Sequence, residues 1–316
     1  MMPVQSAASS SATPEVRVRY LLRQYYRLTK PRVVALIMFT AIVGMFLSTD
    51  GMVALDILLI ATLGIGMAAA AGAAINHLMD VDADTVMKRT KHRPLPAGNL
   101  DRRQALVFAT ALAAVSMLIL TLWVNPLCAL LTFASLIGYA VVYTVYLKHA
   151  TPQNIVIGGA AGAMPPVLGW CAVTGQVTGD ALLLFLIIFC WTPPHFWALA
   201  LYRYNDYAKA KIPMLPVTHG SKFTRLHILL YTLLLTAVTI MPFATRMSGI
   251  LYLLVAIVLN AVFVGYAVAL YRRYNGILAR RTFAYSIQYL AMLFAAMLVD
   301  HYRESLVRLL GGAMSI

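Results

Sequence analysis

Apolar residues come in blocks along this chain, each about 17 to 25 residues long and closed by a short charged or Gly/Pro-marked break. That length is what a helix needs to cross a hydrocarbon core. Nine such blocks are readable, over residues 33–49, 55–78, 105–124, 127–147, 154–173, 181–202, 226–244, 249–271 and 282–300. The pattern predicts an all-α polytopic membrane protein. Residues 1–27 are expected to be a disordered cytoplasmic N-terminal tail, 28–303 a single transmembrane domain and 304–316 a C-terminal tail; the first 14 residues lack the apolar core of a signal peptide.

Composition supports the pattern. Of 316 residues 61% are hydrophobic and 11% charged, with a mean hydropathy of +0.78, more apolar than a soluble core requires. The net charge of +14 does not point to nucleic acid, because the basic residues alternate with the spans and form no contiguous basic domain. All but Arg246, Arg303 and Arg308 of the 25 Lys and Arg fall on one face when nine spans are threaded. The positive-inside bias therefore places the N-terminus in the cytoplasm or its topological equivalent. Cys128, Cys171 and Cys190 lie inside apolar blocks without CxxC spacing and read as small core hydrophobes.

The polar exceptions carry the chemistry. Residues 75–98, INHLMDVDADTVMKRTKHRPLPAG, put three aspartates and then four basic residues at the cytoplasmic end of the second span. A carboxylate costs about 2.5–3.5 kcal/mol at a membrane helix centre, so a cluster near a span end needs a partner or a function. Asn76, Asp80 and Asp84 recur every four residues and share one helix face, while Asp82 points nearly the opposite way. Hard oxygen donors so spaced suit Mg²⁺, which takes one or two carboxylates and bridges to phosphate. Lys88, Arg89, Lys91 and Arg93 would grip a diphosphate from the side the metal leaves open. The plainer alternative is a solvated acidic helix end followed by a charged loop.

A second polar island, residues 201–220, contains Asp206, which lies 126 residues after Asp80 and follows another even-numbered span. Two like-oriented units with facing acidic sites are expected, with Asp206 either a further metal ligand or an ordinary loop aspartate. Helix breakers sit in IGGAAGAMPPVLGW, residues 157–170, where small residues serve close packing or line a cavity. They also sit in CWTPPHFWALALYRYND, where Pro193 and Pro194 predict a broken sixth span. His195 beside them is an intramembrane ionisable group, a functional candidate or a satisfied core histidine.

NHLMDVDADTVMKRTKHRPL resembles the aspartate-rich N-x3-D-x3-D signature of the UbiA-type intramembrane prenyltransferases, in particular the branch that prenylates haem. LTKPRV, YLKHATPQNIVIGGAAGAMPPVLGW, WTPPHFWALAL and DYAKAKIPMLPV resemble that branch in the same order, so the likeness runs from about Leu28 to the last span. It implies nine helices around a central cavity, with farnesyl diphosphate and haem B as substrates and Mg²⁺ as cofactor. By position, Asn76, Asp80 and Asp84 take the metal-diphosphate role. Asp206 stands for the second motif, usually D-x3-D, whose second aspartate is here Ala210, leaving one carboxylate fewer for a second Mg²⁺. Lys30, Arg32, Lys148 and Lys211 join Lys88, Arg89, Lys91 and Arg93 as expected diphosphate contacts. His195 is expected to orient haem or the attacking water, making Asp80, Asp84, Asp206 and His195 the expected catalytic set. The setting is a bacterial inner membrane before a mitochondrial one, with a downstream haem-modifying membrane enzyme as partner. Two rivals remain: a secondary transporter, which also uses broken helices, and a prenyltransferase acting on an aromatic quinone precursor.

Overall fold

The structure, a computed structural model, describes residues 14–303. These residues form helices α1 (Pro14–Leu28), α2 (Pro31–Leu47), α3 (Leu55–Met79), α4 (Val81–Val86), α5 (Arg102–Trp123) and α6 (Pro126–Ile137). A π-helix (Gly138–Leu147) continues α6 and is followed by α7 (Lys148–Ala150), α8 (Asn154–Ala163), α9 (Pro165–Thr174) and α10 (Gly179–Tyr202). The chain ends in α11 (Tyr204–Lys209), α12 (Leu215–Ala244), α13 (Ile250–Arg272) and α14 (Gly276–His301), with no strand among the described residues.

Eight helical stretches are long and apolar enough to cross a membrane, and the pair α1 and α2, bent by 53°, makes a ninth. The nine sequence blocks all fall on these elements. Outward-facing Leu118, Leu122, Leu130, Leu254 and Val258 are exposed, as expected where the surrounding solvent is lipid. Two spans begin earlier than the hydropathy pattern implies: α12 at Leu215, with a kink at Gly220 (φ 79°, ψ 168°), and α14 at Gly276. Their first turns carry His219, Lys222, Arg280 and Arg281, which end an apolar run without ending a helix.

Two expectations are corrected. The N-terminal segment is not disordered from Pro14 onward: α1 is helical, and Leu28 is fully buried against Ala74, Leu95, Leu100 and Ala105. Residues 1–13 and the tail 304–316 lie outside the described residues. Nor do Pro193 and Pro194 break the sixth span, since α10 is one helix from Gly179 to Tyr202. Only the two N–H groups are missing, and α10, packed against α8, α12 and α14, continues through them.

Small residues decide how closely the helices cross. A Cβ on Gly44 of α2 would lie 2.1 Å from the Pro166 carbonyl oxygen, and one on Gly169 of α9 would lie 1.9 Å from the Ala41 carbonyl oxygen. The α2–α9 crossing is therefore backbone against backbone, which glycine alone permits. Within the segment 157–170, Gly158, Gly159 and Gly169 serve packing, Gly158 meeting the Tyr143 ring and Gly159 meeting Thr192, whereas Gly162 faces open space.

Candidate active site

Helical hydrogen bonding carries the aspartate motif across the end of α3. Asp80 N–H donates to Asn76 O (3.0 Å) and Asp84 N–H to Asp80 O (2.8 Å), so the register passes through Asp80 into α4. Asn76, Asp80 and Asp84 consequently share one face and are 5%, 4% and 3% exposed. Asp82 points away, its side chain 93% exposed and 3.5 Å from Arg102. All four residues thus lie on the faces their spacing predicts.

Two buried carboxylates need compensation. Each motif residue has a basic side chain of its own, drawn from three separate parts of the chain. Lys30, at the N-cap of α2 in the left-handed region (φ 49°), donates to the Asn76 side-chain oxygen. The Lys148 Nζ, where the π-helix gives way to α7, lies 2.5 Å from Asp80. Arg93, from the loop after α4, donates to both Asp84 oxygens at 3.0 and 2.7 Å. That loop is pinned by Leu95 and Leu100 in the cluster that also buries Leu28 and by a capping box between Asp101 and Gln104 at the start of α5.

A further shell fixes these groups. The Asn76 amide donates to Thr144 Oγ1 (3.4 Å), and Thr144 donates to Tyr139 O (2.8 Å), a partner five residues back that the π-helix provides. Thr144 thereby turns the Asn76 oxygen towards Lys30. Asn154 holds the Lys148 carbonyl at 3.3 Å, and the Thr90 hydroxyl donates to the Asp84 carbonyl at 3.1 Å. Sequence reasoning missed Thr144 and Asn154, because their partners are 68 and 6 residues away and no motif marks them.

The other expected residues are dispersed. Lys88, Lys91, Arg32 and Lys211 are exposed, Lys211 with a left-handed backbone (φ 53°). Arg89 donates to the Tyr207 hydroxyl (3.2 Å) and stands 5.5 Å from its ring centre, tying the loop after α4 to α11. Asp206 is half-buried, 3.9 Å from Arg203, and lines a hollow of about 660 Å³ with Tyr202, Asn205, Ser221 and Tyr274. Among the described residues no three His, Cys, Asp or Glu side chains converge closely enough to hold one ion, so Asp206 does not share an ion site with both Asp80 and Asp84. His195 belongs to another buried cluster, with Ser286, Trp191 and Phe283.

The donor set of one amide oxygen and two carboxylates fits a hard divalent cation whose remaining positions are filled by water and phosphate oxygens. The three cationic side chains fit the phosphate.

The model of the UbiA prenyltransferase family matches residues 37–297. The chain belongs to that family. It is 62% identical over 281 residues to the protoheme IX farnesyltransferase of Nitrosospira multiformis, covering 89% of this chain and 94% of the relative. With the protein of the same name from Nitrosomonas europaea it shares 56% over 301 residues, 95% of this chain and 99% of the other. Among solved structures it resembles digeranylgeranylglyceryl phosphate synthase (TM-score 0.76, 18% identity, 90% of this chain and 99% of that one). It also resembles a UbiA homologue from Archaeoglobus fulgidus bound to DMAPP and Mg²⁺ (TM-score 0.63, 19% identity, 87% and 99%). The chain is thus a multi-pass membrane enzyme, a prenyltransferase with the UbiA-type all-α architecture, and the transporter reading is set aside.

Proposed function

We propose that this UbiA family member converts haem B to haem O, joining the farnesyl group of farnesyl diphosphate to a haem vinyl group with addition of water. The observation that carries the reading is the buried cluster in which Asn76, Asp80 and Asp84 each meet a separate cation, Lys30, Lys148 or Arg93. Support for haem as acceptor comes from relatives named protoheme IX farnesyltransferase at 56–62% identity.

Asn76, Asp80 and Asp84 would hold Mg²⁺, with Asp206 an outlying candidate for a second ion; when bound, Mg²⁺ neutralises charge developing on the leaving diphosphate. Lys148 and Arg93 exchange their carboxylate partners, and Lys30 its amide partner, for diphosphate oxygens. Exposed Lys88, Arg89, Lys91, Arg32 and Lys211 extend the positive field that draws the substrate to the water's edge. The C–O bond between farnesyl and diphosphate breaks, and the electron pair leaves with the diphosphate. The terminal vinyl carbon attacks the allylic cation, and the new carbocation beside the porphyrin takes up water and loses one proton. The products are a hydroxyethylfarnesyl haem, diphosphate and a proton. His195 serves at the haem end, orienting haem or the incoming water.

The working site is a bacterial inner membrane with the N-terminus cytoplasmic, where the basic loops meet soluble farnesyl diphosphate and the bilayer holds the acceptor. A haem-modifying membrane enzyme would take the product. Purified protein in lipid, given haem B, farnesyl diphosphate and Mg²⁺, should yield haem heavier by one farnesyl group and one water. The product should vanish on chelation and in Asp80→Ala. Turnover of farnesyl diphosphate with 4-hydroxybenzoate, and none with haem, would instead assign a quinone-precursor acceptor.

A further inference from the structure

Ser286 on α14 is fully buried, and its hydroxyl has two close neighbours: the Phe283 carbonyl oxygen and His195 Nδ1, both at 2.7 Å. A serine hydroxyl has one proton, and a carbonyl oxygen can only accept. If the proton pointed to His195, two oxygens would face each other at 2.7 Å with no hydrogen between them. The proton therefore belongs to the Phe283 contact, and His195 Nδ1 must carry the hydrogen it donates to Ser286.

We infer that Ser286 is a positioning residue that fixes His195 as the Nδ1–H tautomer, leaving the lone pair on Nε2. Nothing local in the sequence signals this, because the partners are 91 residues apart. The rest of the cluster locks the ring in place. Trp191, one turn earlier on α10, stacks on His195 at 4.2 Å and 20°, and Phe283 lies 4.7 Å away at 32°. The Trp191 indole N–H donates to the Ser286 carbonyl (2.8 Å), so one residue of α14 anchors both rings. His195 keeps 8% of its surface accessible, and Nε2 has no protein partner among the described residues. A fixed Nε2 lone pair is a group that accepts a proton or donates to a metal centre, and the tautomer decides which nitrogen does so.

The inference deepens the proposed haem reaction by giving His195 a defined chemical face, but its first test does not depend on that reaction. Protein labelled with ¹⁵N-histidine, in lipid at a pH where His195 is neutral, is compared with His195→Gln to assign the His195 signals. The expected result is a protonated Nδ1 and a bare Nε2 in the wild type, and a mixture of tautomers in Ser286→Ala. Bare Nδ1 in the wild type, or an unchanged tautomer in Ser286→Ala, overturns the inference. In the haem assay, Ser286→Ala should lower kcat roughly 10- to 100-fold, the scale of lost outer-shell partners, with KM for farnesyl diphosphate unchanged. Ser286→Thr, which keeps the hydroxyl, should restore most of kcat. Equal loss in Ala and Thr variants that both retain the wild-type thermal midpoint would also overturn it. A change in the haem absorption band between wild type and His195→Gln separates donation to iron from proton acceptance. If no haem product forms in any variant, the proposed reaction fails while the tautomer result stands by itself.

Discussion

Removing Lys148 strands Asp80. The Lys148 Nζ is 2.5 Å from the carboxylate, and the two side chains are 11% and 5% exposed. At an effective dielectric of about 20 the gross attraction at that separation is roughly 7 kcal/mol, most of it offset by desolvation. Deleting one member of such a buried pair costs about 3–5 kcal/mol, because the remaining charge has no partner. Lys148→Met should therefore lower the thermal midpoint by on the order of 10 °C in chelator, from a few degrees per kcal/mol in a chain of this size. The loss should be conditional. Mg²⁺ has a vacated Asp80 to bind, and at about 100 times its dissociation constant it returns roughly 2.7 kcal/mol. Wild-type protein should respond less to the ion alone, because Lys148 already occupies the carboxylate. The assay is thermal unfolding in lipid nanodiscs with chelator or with Mg²⁺, for wild type, Lys148→Met and the double variant Asp80→Asn/Lys148→Met. The double variant carries no stranded charge and should recover at least half the loss. Equal midpoints for wild type and Lys148→Met in chelator, or equal Mg²⁺ shifts in both, would show that Lys148 does not compensate Asp80.

Other outcomes follow from the same geometry. Asp84→Ala should cut turnover about 10²- to 10³-fold, as expected when a group stabilising transition-state charge is lost, and it frees Arg93, visible as a weaker dependence of the residual rate on Mg²⁺. Asp206→Asn should cost less than tenfold in kcat/KM, because Asp206 is not gathered with Asp80 and Asp84; a loss equal to that of Asp80→Asn would place it in the metal site after all. Gly169→Ala should destabilise by about 1–3 kcal/mol, the usual cost of overpacking, because its Cβ would meet the Ala41 carbonyl at 1.9 Å, whereas Gly162→Ala, with open space around it, should melt like the wild type. Asp300→Ala should lower the melting point by the equivalent of roughly 1–2 kcal/mol, since Asp300 accepts from the backbone N–H of Gly249 and Tyr252 at the start of α13.

The spans and the chemistry of the motif were legible in the sequence, because both are written in local periods. An apolar run of fixed length must be a helix in lipid, where backbone groups have no other partner. Oxygen donors four residues apart must share a helix face, and Asn76, Asp80 and Asp84 do so even though α3 formally ends between them. The ends of α12 and α14 were less legible, because charged residues in a helix's first turns look the same as a loop. The helical state of α1 and the continuity of α10 through two prolines were hidden for a different reason: neighbouring helices stabilise both, and contacts leave no local period. Which of many basic residues meet the motif side chains depends on the tertiary structure. Lys30, Arg93 and Lys148 come from three distant segments, whereas Lys88 and Lys91, nearer in sequence to the motif, remain exposed. It alone separated Asp206 from the aspartate cluster, and it alone set Ser286 against His195. Pairing across a membrane bundle is fixed by how helices cross, and that crossing depends on glycines such as Gly44 and Gly169, whose partners lie more than a hundred residues away.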